Sequence, residues 1–190
     1  MVEESVRADT VSSLFLALEK GDPDAPAALF AALYEELRRV ARRELRRQGG
    51  ALGTTTLLHE TYLDMAHNRS SFPDRARFMA YASRVMRGLV IDHARQRRAQ
   101  KRGGQFVITA IGSDAQDLVD ERSLVEVGQA LDTLYTVEPA LARIVDLKFF
   151  CGFSFVEIAA MLDLSERTVQ RHWEKARIYL YHSIRGNPAE

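Results

Sequence analysis

One cysteine, Cys151, stands in a chain of 190 residues. It excludes an internal disulfide and a cysteine-based metal cluster, fits a reducing cytoplasm, and reads as a small apolar filler. Net charge is also missing: 26 basic residues balance 26 acidic ones, so no global basicity announces nucleic acid. No apolar run approaches a membrane span, and Glu3 and Glu4 stand where a secretory leader would be basic, so neither anchor nor leader is expected. A Gly-rich phosphate loop, a metal-ligand cluster and a nucleophile motif are absent too, which leaves an enzyme unsupported. His59-Glu60 begins a zinc-protease signature, but Leu63 stands where the second histidine belongs, and His93 has no ligand partner at metal spacing. No catalytic residue, metal site or cofactor is assigned.

What is present is helical periodicity and an uneven spread of charge. Arginines crowd residues 38–47 and 84–102, while acids crowd 114–138. Apolar residues recur at three and four through a first helix at about Thr10–Lys20, a longer one from Pro26 to about Arg47, one beginning within Gly53–Met65, and a long one from about Arg75 to Arg98. A threonine is the expected cap of the third. Residues 103–122 are Gly, Ser, Asp and short apolar residues and read as a flexible linker. Helical pattern resumes at Leu124, pauses at Val137-Glu138-Pro139, and restarts with proline in the first turn, with Phe149 and Phe150 expected in the core. The expected fold is all-α: a domain at 8–102, the linker, and a second domain at 123–185.

Near the end of the chain, Ser154 can cap a short helix while Glu157 reaches back to it, Asp163-Leu164 makes a turn, and Ser165 caps a second helix. Val169, Trp173, Ala176 and Leu180 form that helix's apolar stripe. Its other face carries Arg167, Thr168, Gln170, Arg171 and Lys175, side chains suited to base edges and phosphates in a major groove. A plain helical hairpin with a solvated face is the alternative; turn length, caps and basic face together favour a helix-turn-helix. Arg84, Arg87, Arg95, Arg98 and Arg102 line up on the long helix with few interleaved acids, as a phosphate-tracking surface requires.

The run from Phe153 to Arg177, Phe-Ser-x-x-Glu-Ile-Ala through Thr-Val-x-Arg-x-Trp-x-x-Ala-Arg, resembles the promoter-reading C-terminal domain of the extracytoplasmic-function (ECF) group of bacterial RNA polymerase sigma factors. Leu57-Leu58-His59-Glu60-Thr61-Tyr62-Leu63 resembles the helix by which these factors bind the clamp of the polymerase's largest subunit, which implies Leu57, Leu58, Glu60, Thr61 and Leu63 as polymerase contacts. Phe78, Tyr81 and Arg84, followed by Ile91–Arg95, resemble the helix that reads and melts the minus-ten element. By position the resemblance also implies Asn68 and Phe72 in the loop that captures a flipped base. Control by a Ser/Thr kinase or by an anti-sigma factor is the regulation it implies, acting from another molecule since the chain has no long C-terminal extension. A stand-alone helix-turn-helix regulator is the rival reading; it leaves the first domain's match unexplained.

Most ECF members carry an acidic tetrapeptide just before the clamp-binding helix; here Gly53-Thr54-Thr55-Thr56 replaces it. Phosphorylation of Thr54, Thr55 or Thr56 would add about −1.5 to −2 charges at a helix N-terminus, where free amides and the dipole favour an anion. Three helix-starting threonines with no further role remain the equal alternative.

Overall fold

The computed structural model describes residues 2–46, 52–67, 72–103 and 114–185, and among these every regular element is helical. α1 (Val2–Glu19) is followed by α2 (Ala25–Ala32) and α3 (Tyr34–Arg46), two helices where the sequence suggests one. Leu29, Leu33, Leu37, Ala41 and Leu45 are all buried and spaced by four. On an ideal helix that spacing drifts by about 40° per step. The break at Leu33, whose backbone leaves the helical region at φ −101° and ψ 9°, resets the phase so that both helices keep their leucines on the core.

α4 (Thr54–His67) lies against α3 and α5 (Arg75–Gly103), the long helix on which the rest is assembled. α5 packs against α3 and α4 and also against elements from the C-terminal end of the chain. Being enclosed on several sides, it buries Ala76, Phe78, Met79, Ala82, Met86, Val90 and Ile91.

α6 (Asp114–Val137) begins inside the stretch read as linker: residues 114–122 are helical, and 104–113 lie outside the described residues. Asp114 and Asp117 stand in its first turn, where the helix dipole favours acids. α7 (Pro139–Val145) starts with proline at its first position, as expected. It runs on into a π-helical segment at Asp146–Cys151 that no periodicity announced. Gly152, at φ 83°, ends that segment, and the Arg43 guanidinium lies across it, only 1.5 Å from where a Cβ would stand. In the wider turn Phe150 points inward while Phe149, expected in the core, is 46% exposed and stacks edge-on against Phe150 at 5.0 Å. α8 (Phe155–Leu162) and α9 (Glu166–Arg185) complete the chain.

The two helix groups, α1–α5 and α6–α9, close on a shared core. Leu29, Leu37, Leu57, Phe78 and Met86 belong to the same buried cluster as Ile144, Leu147, Phe153, Ile158 and Val169. A smaller cluster of Leu131, Leu134, Leu141, Val145, Phe150 and Ala176 lies within the second group. Each fully buried leucine contributes about 2 kcal/mol, so the surface joining the groups is a substantial part of the folded state.

Candidate nucleic-acid interface

The α8–turn–α9 unit is built as its sequence dictates. Ser154 N donates to Glu157 Oε2 at 2.7 Å and Glu157 N donates to Ser154 Oγ at 3.2 Å, a complete capping box. Asp163 closes α8 in the left-handed region at φ 53°, a conformation aspartate tolerates better than most residues. Thr168 N then donates to Ser165 Oγ at 3.1 Å, which starts α9. Ile158 and Val169 are fully buried where the two helices cross, and Trp173 packs on Phe155.

Both bonds from Ser154 hold the Glu157 carboxyl below its ordinary value. A depressed carboxylate contributes stability that is present above its unfolded value of 4.5 and is lost as pH falls through the lower folded one. Ser154→Ala is therefore expected to cost about 1 kcal/mol at neutral pH. Urea midpoints of the two proteins should converge at acid pH, once Glu157 is protonated.

On α9 the face opposite the buried stripe is open. Arg167, Gln170, Arg171 and Lys175 are exposed and Thr168 is half-buried. Gln170 Nε2 is held by Glu166 Oε1 at 3.0 Å, which fixes the amide in one orientation. Lys175 Nζ reaches back to Glu138 at 2.7 Å, so its charge is shared with the start of α7. Arg167 and Arg171 make no ion pair among the described residues and are the two free guanidinium groups of this face.

The arginine row on α5 is arranged differently from the expectation. Arg84 is exposed, with its guanidinium over the rings of Tyr81 and Tyr135, 5.7 and 5.1 Å from their centroids. Arg87, expected among the phosphate contacts, is only 3% exposed. Its Nη1 lies 2.7 Å from Asp146 Oδ1 and its guanidinium 4.5 Å from the Phe150 centroid. The reason is partner geometry: a carboxylate from the π-helical segment reaches that side of α5, and the charge follows it inward. The side chains of Arg95 and Arg98 lie outside the described residues, as does Asn68. Phe72, expected in a base-capturing loop, is 6% exposed and packs on Phe78 and Tyr81 at 5.4 and 5.0 Å. In this structure it is a core ring.

The expected polymerase contacts on α4 divide by face. Leu57, Leu58 and Thr61 are buried, the Thr61 hydroxyl donating to the Leu57 carbonyl at 2.7 Å. His59, Glu60 and Leu63 are exposed. The helix starts at Thr54, with the Gly53 carbonyl accepting from Leu57 N, so glycine rather than a threonine occupies the cap position. Thr55 and Thr56 are exposed in the first turn, Thr54 is half-buried, and that turn holds no acidic residue. Tyr135 and Asp146 are the residues the sequence pattern missed; no local signal pairs them with Arg87, since the carboxylate stands 59 positions away.

No helix among the described residues is long and apolar enough to cross a membrane. Two capped helices at a tight turn, with a basic outer face and an all-helical body behind them, define a helix-turn-helix DNA-binding protein. The chain belongs to the ECF sigma factor family, whose sequence model matches residues 8–186. It is thus a transcription-initiation factor by family, and members bind core RNA polymerase and promoter DNA. No curated protein matches the sequence. Among solved structures the chain is similar to CnrH in its complex with the cytosolic domain of CnrY, at 22% identity and a TM-score of 0.40, over 94% of this chain and 99% of that one.

Proposed function

We propose that this protein is a cytoplasmic, non-enzymatic initiation factor that brings core RNA polymerase to a particular class of promoters. The observation that carries the reading is the family match at residues 8–186, which takes in both helix groups. A stand-alone regulator would account only for the second. In this reading residues 8–102 bind polymerase through the exposed side of α4 and meet the minus-ten element with Asn68, Arg84, Arg95 and Arg98. Residues 123–185 place α9 at the minus-thirty-five element. Arg167 and Arg171 lead there, because their guanidinium groups are exposed and without acidic partners. If Arg171 reads a base, Arg171→Ala weakens binding to cognate promoter duplex by about 1–3 kcal/mol and leaves binding to scrambled duplex unchanged. Equal loss on both, measured by fluorescence anisotropy, would reassign it to a phosphate.

Regulation is proposed to act at Thr54–Thr56. Support comes from the exposure of Thr55 and Thr56 in the first turn of α4 and from the absence of an acid there. The test compares the unmodified protein with a form carrying aspartate at all three positions, in core polymerase binding and in run-off transcription from a selected promoter. The charged form is expected to bind about tenfold tighter, or about 1.4 kcal/mol. Equal, tight binding would make the threonines plain helix-start residues and move control to an anti-sigma partner. Binding by neither form would remove the initiation-factor reading.

A further inference from the structure

We propose that the free protein latches itself shut: the buried cluster of Arg87, Asp146 and Tyr135 clamps the C-terminal helices onto α5, and this clamp must open before the two helix groups can engage a promoter. The inference rests on the initiation-factor reading above and adds to it a source of control within the chain, where the sequence alone pointed only to other molecules.

Position is the first argument. Arg87 lies on α5, Tyr135 on α6 and Asp146 on the π-helical segment, so the cluster joins the two groups. Arg87 Nη1 sits on one oxygen of Asp146 and the Tyr135 hydroxyl donates to the other. Arg84, on the next turn of α5, covers the Tyr135 ring. Two arginines of the row suited to tracking DNA phosphates are thus occupied by the protein's own second half. Gly128 on α6 allows the close approach, since a Cβ there would meet Ile91 Cδ1 at 3.1 Å.

The chemistry of the clamp is the second argument. Asp146 is fully buried and Arg87 nearly so. A buried ion pair is often no more stabilising than apolar packing of the same volume, because both charges gave up their water. On separation that hydration is regained, so a joint centred on these ions opens at lower cost than one made of leucines alone. While closed, however, it tolerates only one register, since a displaced Arg87 would leave a buried charge unpaired. Low opening cost combined with strict register is what a reversible latch requires. Polymerase and DNA would then bind the open fraction, and apparent affinity would fall in proportion to that fraction.

A built-in tether can test this. Ser83 on α5 is buried with its hydroxyl beside the Cys151 thiol, and Cys151 Sγ lies 3.6 Å from the Met79 carbonyl oxygen. Ser83→Cys should therefore form a disulfide with the native Cys151 under diamide, joining α5 to the π-helical segment. Expected are efficient cross-linking, a drop of about tenfold or more in core polymerase binding and run-off transcription, and full recovery with dithiothreitol. The wild-type chain, treated alike, should be unaffected. Asp146→Asn, which leaves Arg87 without a counter-charge, should expand the free protein in small-angle scattering and raise polymerase affinity about tenfold. A cross-linked protein that transcribes as well as its reduced form would overturn the latch, and so would failure to cross-link together with an extended scattering profile for the wild type. Polymerase binding by neither wild type nor reduced variant would sink the initiation-factor reading instead, while cross-link yield and scattering still decide whether the chain closes.

Discussion

Arg87→Met is expected to cost the closed protein about 3–5 kcal/mol at neutral pH, the usual penalty for removing one member of a buried ion pair. Methionine fills most of the volume and can still lie against Phe150, so the loss comes from charge. Asp146 would remain fully buried with Tyr135 as its one remaining donor from the cluster. Burial already raises the Asp146 carboxyl above its ordinary 3.8, against the opposing pull of Arg87 and Tyr135. A carboxyl raised in the folded state binds its proton more tightly there, so its ionisation removes stability as pH rises above the unfolded value. Without Arg87 the folded carboxyl rises further. The defect should therefore be largest at neutral pH and shrink towards pH 4, where a neutral Asp146 needs no counter-charge. Urea titrations followed by Trp173 fluorescence measure this directly. Arg87→Met combined with Asp146→Leu should recover most of the loss, because the unpaired charge is gone. If single and double variants lose equally, the ion pair is not what specifies this joint.

How far the sequence reveals this architecture depends on the range of the interactions involved. The capping box at Ser154 and Glu157, the turn at Asp163 and the start at Ser165 are written within three residues of one another, and the structure reproduces each. Proline at position 139 places the start of α7 for the same reason. The break at Leu33 was not visible, because Leu29, Leu33 and Leu37 satisfy a helical spacing whether or not the helix resets between them. Phe149 and Phe150 are equally apolar, and only the π-helical turn decides which of them is buried. Nor could composition separate Arg87 from its neighbours on α5. Its burial depends on a carboxylate 59 positions away that is delivered by that same turn. The sequence thus exposes the surfaces of each helix group but not the surface the groups share. Arg87 and Phe72 were assigned to DNA because an isolated first group would leave them free to reach it.

The same distinction between core and contact gives α4 a sharp expected result. Leu57→Ala should destabilise the protein by about 2–5 kcal/mol, the range for a fully buried leucine whose cavity cannot collapse. Leu57 is 0% exposed and belongs to the core cluster shared by both helix groups, so little room exists for relaxation. Glu60→Ala and Leu63→Ala should each stay within about 0.5 kcal/mol of wild type, as surface substitutions do, because Glu60 is exposed and Leu63 is 37% exposed. Polymerase binding should rank the other way once folding is controlled for. Leu63, an exposed apolar side chain beside Glu60, would lose a contact worth at least about 1 kcal/mol if this face meets the polymerase. Leu57→Ala should bind normally in whatever fraction remains folded, as read by thermal melts run beside binding titrations. Were Leu57→Ala stable but unable to bind, or Leu63→Ala unable to fold, the faces of α4 would have to be exchanged. The helix then presents to polymerase its own narrow strip of His59, Glu60 and Leu63, while the leucines of its resemblance to other family members serve to hold that strip in place.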